Sequence, residues 1–224
     1  MRNFTCEQLA GYNGEDDKPI YISVKTMVWD VSESRNVYGH GGLYANFAGT
    51  ECGIALAKLS MDAIEINQFS FEQLSGDETK QLDHWIYQFQ FVRRYPFVGR
   101  LIPPSQFQPN RIFTLEDLSR YKGDQVSQKH NMPEGYATYP IYIGIDGLVL
   151  DVSFGGLEFY GPGGPYHVFA GTDASVGLAK MSLTHTGDCT TELTEKEKKI
   201  MQDWKNSFLN KKKYPIVGRI QPLS

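Results

Sequence analysis

The residues with the clearest chemical potential in this chain are tyrosines. Tyr38-Gly39-His40-Gly41-Gly42-Leu43-Tyr44 is a glycine-rich stretch closed at both ends by phenols, and it recurs 122 positions later as Tyr160-Gly161-Pro162-Gly163-Gly164-Pro165-Tyr166. A tyrosine beside a tight turn packs its ring and hydrogen-bonds through its hydroxyl. Packing alone is a weaker account of the same spaced pair occurring twice. Other chemistry is sparse. His40, His84, His130, His167 and His185 do not recur between the repeats and read as surface or locally bonded groups. Cys6, Cys52 and Cys189 form an odd, widely spaced set with neither metal-ligand spacing nor a disulfide framework, which points to a reducing compartment. No Ser/His/Asp arrangement, paired carboxylates or phosphate loop stands at a repeated position, so no enzymatic activity is expected.

The elements that must position the tyrosines follow from the repeat. Pro19-Ile20-Tyr21-Ile22 returns as Pro140-Ile141-Tyr142-Ile143, and Val28-Trp29-Asp30-Val31-Ser32 as Val149-Leu150-Asp151-Val152-Ser153. Phe47-Ala48-Gly49-Thr50 matches Phe169-Ala170-Gly171-Thr172, and Tyr95-Pro96-Phe97-Val98-Gly99-Arg100 matches Tyr214-Pro215-Ile216-Val217-Gly218-Arg219. Two tandem domains are therefore expected, residues 1–102 and 113–224, joined by a stiff proline-rich linker over 103–112. An insertion around Gln125 to Ala137 in the second copy reads as a longer surface loop. Thr5-Cys6-Glu7-Gln8, Ser75-Gly76-Asp77-Glu78 and Thr194-Glu195-Lys196-Glu197 are capping boxes that open helices. Leu82, Trp85 and Phe89, like Met201, Trp204 and Phe208, have helical spacing and read as core. Ile20, Ile22 and Val24 alternate ahead of Val28 to Val31, a hairpin pattern. Thr50 is expected to cap a helix through Ile54, Leu56 and Leu59, and Phe97 to Leu101 to close the domain as a strand. Each copy is an α+β unit, a small sheet with several short helices.

Composition narrows the function classes. The chain has 224 residues, 41% hydrophobic and 21% charged, enough apolar material for a packed core. A formal net charge of −4 excludes the strong basic excess of a nucleic-acid binder. The first residues lack the apolar core of a signal peptide, and the most apolar stretch, Ile141 to Val152, is too interrupted to span a membrane. The expected location is cytoplasmic, with a peripheral place at endomembranes as the second option.

At the tyrosine loops the sequence resembles the membrane-associated progesterone receptor branch of the cytochrome b5-like haem/steroid-binding domains. Phe4-Thr5, Val28-Trp29-Asp30-Val31, Tyr38-Gly39, Tyr44, Phe47-Ala48-Gly49, Trp85, Phe89, Tyr95 and Val98-Gly99 carry the resemblance in copy one. Gly161-Pro162-Gly163-Gly164-Pro165-Tyr166 and Gly171-Thr172-Asp173-Ala174-Ser175 carry it in copy two. The bis-histidine ligation of ordinary cytochrome b5 is not expected, because His40 lacks the following proline and a partner. The resemblance instead implies ferric haem b held by the tyrosine that ends each loop, Tyr44 and Tyr166. It implies supporting contacts from Tyr38 with Arg94 and Tyr95, and from Tyr160 with Lys213 and Tyr214. A phenolate is a hard anion and favours the ferric state, and loop glycines would let backbone approach a flat ligand.

Copy one departs from the family's lysine at Arg94, so copy two is expected to bind more tightly. A steroid or other apolar molecule, a cytochrome P450-type or other protein partner, and haem-dependent association between chains are the further expectations the resemblance carries. The alternative is a protein-interaction or steroid/lipid-binding module with a vestigial haem site; a peroxidase-like enzyme lacks the repeated distal histidine it would need.

Overall fold

Short elements with explicit start signals build the chain, and a computed structural model describes residues 1–125, 132–185, 187 and 191–222. His130, Cys189 and part of the expected 125–137 loop lie outside the described residues. The chain divides into two compact units, the first essentially Asn3–Pro104 and the second Ser105–Ser224. The proline-rich stretch carries a 3-10 turn, Pro104–Gln106, where an extended tether was expected.

The first unit runs β1 (Arg2–Phe4), α1 (Cys6–Leu9), β2 (Tyr21–Val24), β3 (Met27–Asp30), α2 (Arg35–Tyr38), α3 (Gly53–Ala57), α4 (Gly76–Tyr87) and β4 (Phe97–Leu101). The second repeats that order as β5 (Ile112–Phe113), α5 (Leu115–Leu118), β6 (Tyr142–Ile145), β7 (Leu148–Asp151), α6 (Leu157–Tyr160), β8 (Thr172–Asp173), α7 (Ser175–Ala179), α8 (Glu195–Asn206) and β9 (Ile216–Ile220). The sheet orders are β1-β4-β3-β2 and β5-β9-β7-β6-β8. Both sheets shift register at the same place, between Val28 and Trp29 and between Val149 and Leu150.

The expected hairpin forms, with Ile22 opposite Trp29. Its turn residues Lys25 and Thr26 have φ of 53° and 63°, the left-handed pair whose twist matches the flanking strands. All three capping boxes form. Thr5, Ser75 and Thr194 each accept the backbone N–H of the residue three on, and that residue's side chain returns the bond. Thr50 does not cap α3. Its hydroxyl turns back to donate to the Phe47 carbonyl, Cys52 holds the N-cap position, and Leu59 lies exposed beyond the helix end.

Each sheet buries residues on both faces. Ile22, Val24 and Trp29 face the helices with Leu56, Leu82 and Phe89, while Phe4, Leu9, Val28 and Leu101 pack on the other side. Phe113, Leu118, Val149 and Val217 repeat that second cluster. A stacked tyrosine pair recurs beside it, Tyr12 on Tyr21 at 4.4 Å and Tyr121 on Tyr142 at 4.1 Å.

One strand end carries an incompletely satisfied charge. Asp151 is fully buried. Its Oδ1 accepts the N–H groups of Ile141 (3.3 Å) and Ser153 (3.0 Å), while Oδ2 has no partner among the described residues. Burial pushes its carboxyl up to about 7, against a free value of about 3.9. The unfolded chain therefore releases this proton at lower pH than the folded one. Stability should fall as pH rises from about 4 to 7 and stay at the lower level above. Asp151→Asn keeps the Oδ1 acceptor, so its gain in melting temperature should be larger at pH 8 than at pH 4.5. Equal shifts at the two pH values would contradict the assignment.

Candidate functional site

The site is built where α2 gives way to the glycine loop. α2 ends at Tyr38, and the chain reverses through Gly41, whose φ of 80° is left-handed. Gly42 then passes so close to the helix that a Cβ would stand 2.3 Å from the Val37 carbonyl oxygen. The Tyr44 N–H donates back to that carbonyl at 3.0 Å. The second unit repeats each step: Gly163 has φ 83°, a Cβ on Gly164 would meet the Phe159 carbonyl at 2.5 Å, and the Tyr166 N–H donates to it at 2.9 Å. Gly42 and Gly164 serve the close approach of loop to helix. The result is that the two tyrosines of each loop face one another, ring centroids 6.0 Å apart for Tyr38 and Tyr44 and 6.1 Å for Tyr160 and Tyr166.

The two members of each pair differ in environment. Tyr38 and Tyr160 are buried, and desolvation raises their hydroxyls well above the ordinary value, with neighbouring phenols adding to the effect. They stay protonated donors at any physiological pH. Tyr44 is half-buried and Tyr166 is 40% exposed, so an ion or ligand can reach the phenol that ends each loop.

In the first unit the tyrosines border a hollow of about 600 Å³. Tyr38, Tyr44 and Tyr95 line it, with Trp85 and Phe89 of the α4 segment as apolar wall. Tyr44 stacks on Phe47 at 5.5 Å and meets Trp85 edge-on at 6.4 Å. Tyr95 is oriented by a 2.6 Å hydrogen bond between its hydroxyl and that of Ser34. Arg93 lines the hollow; Arg94 does not. His84, Gln88 and Ser34 complete its polar edge. Among these Ser34, His84, Gln88 and Arg93 are positions that repeat comparison could not have flagged, because their counterparts Gly156, Asp203, Ser207 and Lys212 differ. The indole Nε1 of Trp85 is buried and has no acceptor among the described residues.

The backbone explains the placement of Arg94. α4 continues into a π-helical turn, Gln88–Val92, and the chain is brought back by a bond from the Tyr95 N–H to the Phe89 carbonyl at 3.0 Å. Arg94 takes the left-handed conformation that this reversal needs, φ 55°, and Lys213 does the same at 55° in the second unit. A non-glycine residue there costs on the order of 1 kcal/mol. Arg94→Gly and Lys213→Gly are therefore expected to leave stability to denaturant unchanged or raised by up to about 1 kcal/mol. A clear loss would mean that the side chain itself holds the turn.

The second unit gathers its aromatics in the same order: Phe208 lies 6.2 Å from Tyr160, 5.7 Å from Trp204 and 5.6 Å from Tyr214. Burial pushes the Tyr214 hydroxyl up to about 12. The serine that orients Tyr95 is replaced by Gly156, where a Cβ would come within 2.8 Å of the Tyr214 hydroxyl. The hollow beside Tyr166 is about 280 Å³ and lies toward α7, lined by Tyr160, Tyr166, Phe169, Leu178, Met181 and Trp204 among others. Neither Lys213 nor Tyr214 borders it. The histidines behave as expected where they are described: His167 Nδ1 bonds the Tyr160 carbonyl, and His185 bonds the hydroxyls of Ser182 and Thr184. Among the described residues no group of three His, Cys, Asp or Glu side chains could hold a metal, and no helix is long and apolar enough to cross a membrane.

Comparison with known proteins agrees with this α+β architecture. Residues 122–220 match the family described as "Cytochrome b5-like Heme/Steroid binding domain". The Arabidopsis thaliana protein named "Probable steroid-binding protein 3" is 41% identical over 100 residues, 44% of this chain and 97% of that protein. Human "Membrane-associated progesterone receptor component 2" is 30% identical over 132 residues, 58% of this chain, which thus spans only 54% of the human protein. These names are those of a binding protein and a receptor component. A solved Arabidopsis structure with "a cytochrome b5 like fold" aligns at 40% identity over 46% of this chain and 92% of that one, with a TM-score of 0.41. The second tyrosine loop, Tyr160 to Tyr166, lies inside the matched residues 122–220, and with the Arabidopsis relative covered over 97% of its length the chain belongs to the cytochrome b5-like haem/steroid-binding family.

Proposed function

We propose that the chain binds ferric haem b in both units, with the phenol oxygens of Tyr44 and Tyr166 as iron ligands, the first unit being a second domain of the same type. The observation that carries this reading is the division of labour within each tyrosine pair, one buried and held protonated, the other open to a ligand. The open member, Tyr44 or Tyr166, would hold the iron as phenolate, the form that a bound cation favours in other acidic ligands. The buried members, Tyr38 and Tyr160, remain hydroxyl donors.

The donor set of the first unit fits the group. Trp85 and Phe89 would hold an apolar macrocycle, and Tyr38, Tyr95 and the Arg93 guanidinium, which line the same hollow, would receive its carboxylates. The Trp85 N–H, which has no acceptor among the described residues, adds a donor. Bound in this way, haem supplies a redox centre of low potential. Tyr44 fixes its position, the aromatic wall excludes water from one side, and Ser34 holds Tyr95 in place. Arg93 takes the charge-pairing role that the family resemblance assigns to Arg94, while Arg94 shapes the turn.

The corresponding hollows between the tyrosine loop and α3 or α7 are about 150 Å³ in the first unit and about 280 Å³ in the second. Hemin added to the purified chain should give a Soret band with a high-spin charge-transfer feature. At less than one equivalent, Tyr44→Phe and Tyr166→Phe should each keep that signal through the remaining site, and only the double variant should lose it. A bis-imidazole spectrum, or no change from free hemin, would refute the reading.

The apolar lining of the hollow beside Tyr166 favours a second use for that site, a steroid or comparable apolar molecule, which accords with the names of the relatives. A redox-adaptor role toward cytochrome P450-type or other partners, and association of chains through their haems, extend the proposal. Sedimentation velocity with and without hemin tests the association.

A further inference from the structure

The end of α4 presents an aromatic ridge that haem binding does not use. Tyr87, Phe91 and Val92 are 54%, 55% and 55% exposed, and the Tyr87 and Phe91 rings touch with centroids 5.2 Å apart. Single exposed apolar side chains are ordinary, whereas a contiguous group at positions i, i+4 and i+5 marks a contact surface. The repeat supplies an internal control. The corresponding positions of the second unit hold Asn206, Asn210 and Lys211, and its π-helical turn forms equally well, so the fold does not require the ridge. Arg93 and Arg94 follow directly and are exposed. From Tyr87 through Tyr95 there is no carboxylate, and among the described residues neither guanidinium is in an ion pair.

We propose that this tip of the first unit is an interfacial anchor for a bilayer surface rich in anionic lipid. Tyr87, Phe91 and Val92 enter the boundary between headgroups and acyl chains, and Arg94, which does not line the hollow, pairs with lipid phosphate above them. Charge selects this occupant. A second copy docked by the same face would bring arginines against arginines, whereas an anionic headgroup layer complements them. The proposal is independent of haem, since neither Tyr87 nor Phe91 lines the hollow.

The test is co-sedimentation of the full chain with vesicles of phosphatidylcholine alone and of phosphatidylcholine with about one-fifth phosphatidylserine, an anionic fraction of the kind that attracts basic segments. The chain is expected to prefer the anionic vesicles. The double variant Tyr87→Asn with Phe91→Asn, which introduces the residues α8 and its following turn already carry, should weaken that binding by roughly tenfold or more at unchanged melting temperature. Absence of vesicle binding overturns the proposal. So does a variant that binds as the parent does, which would assign the contact to cations elsewhere, such as Lys211 to Lys213. A variant that only shifts the sedimentation coefficient from dimer to monomer would assign the ridge to a second copy.

Discussion

Replacing Tyr44 and Tyr166 together by phenylalanine is expected to abolish the high-spin haem spectrum while leaving the fold intact. The substitution removes one oxygen from each site and keeps the ring. Tyr44 owes its packing to ring contacts, at 5.5 Å to Phe47 and 6.4 Å to Trp85, and no hydrogen bond of its hydroxyl contributes among the described residues. Tyr166 stacks on Phe169 at 6.5 Å in the same manner. The stability cost should stay below about 1.5 kcal/mol, the range of volume-conserving exchanges. The loss of hemin affinity should be at least about tenfold, equivalent to 1.4 kcal/mol or more. Tyr38→Phe serves as the contrast. It removes a hydroxyl that burial keeps protonated, so hemin should still bind, with weaker affinity and an unchanged ligand signature. If the double variant keeps the parent spectrum, tyrosine ligation is wrong.

Glu51→Ala should produce the largest loss of stability in the first unit. This carboxylate is completely buried and accepts four hydrogen bonds: from the Ser23 hydroxyl at 2.6 Å, and from the N–H groups of Lys25 at 3.1 Å, Thr26 at 2.9 Å and Gly53 at 2.8 Å. It ties the β2–β3 turn to the start of α3, and so holds the sheet against the helices that wall the hollow. Burial raises its pKa and the four bonds oppose that rise. Alanine would leave several buried donors unmet at about 1–3 kcal/mol each, so a loss of roughly 3 kcal/mol or more is expected. Glu51→Gln keeps one carbonyl acceptor and should fall between. Trp29 and Trp85 report on this unit and Trp204 on the other, so denaturant unfolding followed by fluorescence and by activity-independent hemin binding separates the two. A cost under about 1 kcal/mol would show that the turn and α3 hold without it.

Glu51 also illustrates why part of the site was illegible in the chain. Its counterpart in the second unit is Asp173, which accepts from the Ser175 N–H and hydroxyl, while the Ser175 hydroxyl in turn caps the Asp146 N–H. The same junction is thus closed by two different hydrogen-bond networks, and comparison of the repeats passes over both. Thr50 failed as a helix cap for a related reason: the Phe47 carbonyl lay within reach of its hydroxyl, a competition that only the folded turn reveals.

The sequence by itself determined whatever depends on neighbours along the chain. Capping boxes at Thr5, Ser75 and Thr194, the alternation of Ile20, Ile22 and Val24, and the spacing of Leu82, Trp85 and Phe89 specify elements through bonds and periodicities of a few residues. The paired tyrosines belong to the same class, because only five residues join them and the glycines among these fix the path. The tertiary structure alone decided which side chains meet in space. The π-helical turn and the left-handed Arg94 put Arg93 on the hollow in its place. Ser34, from a different element, orients Tyr95. The hollow beside Tyr38, Tyr44 and Tyr95 depends on the volume that side chains from several distant segments leave unfilled, a property no local pattern encodes.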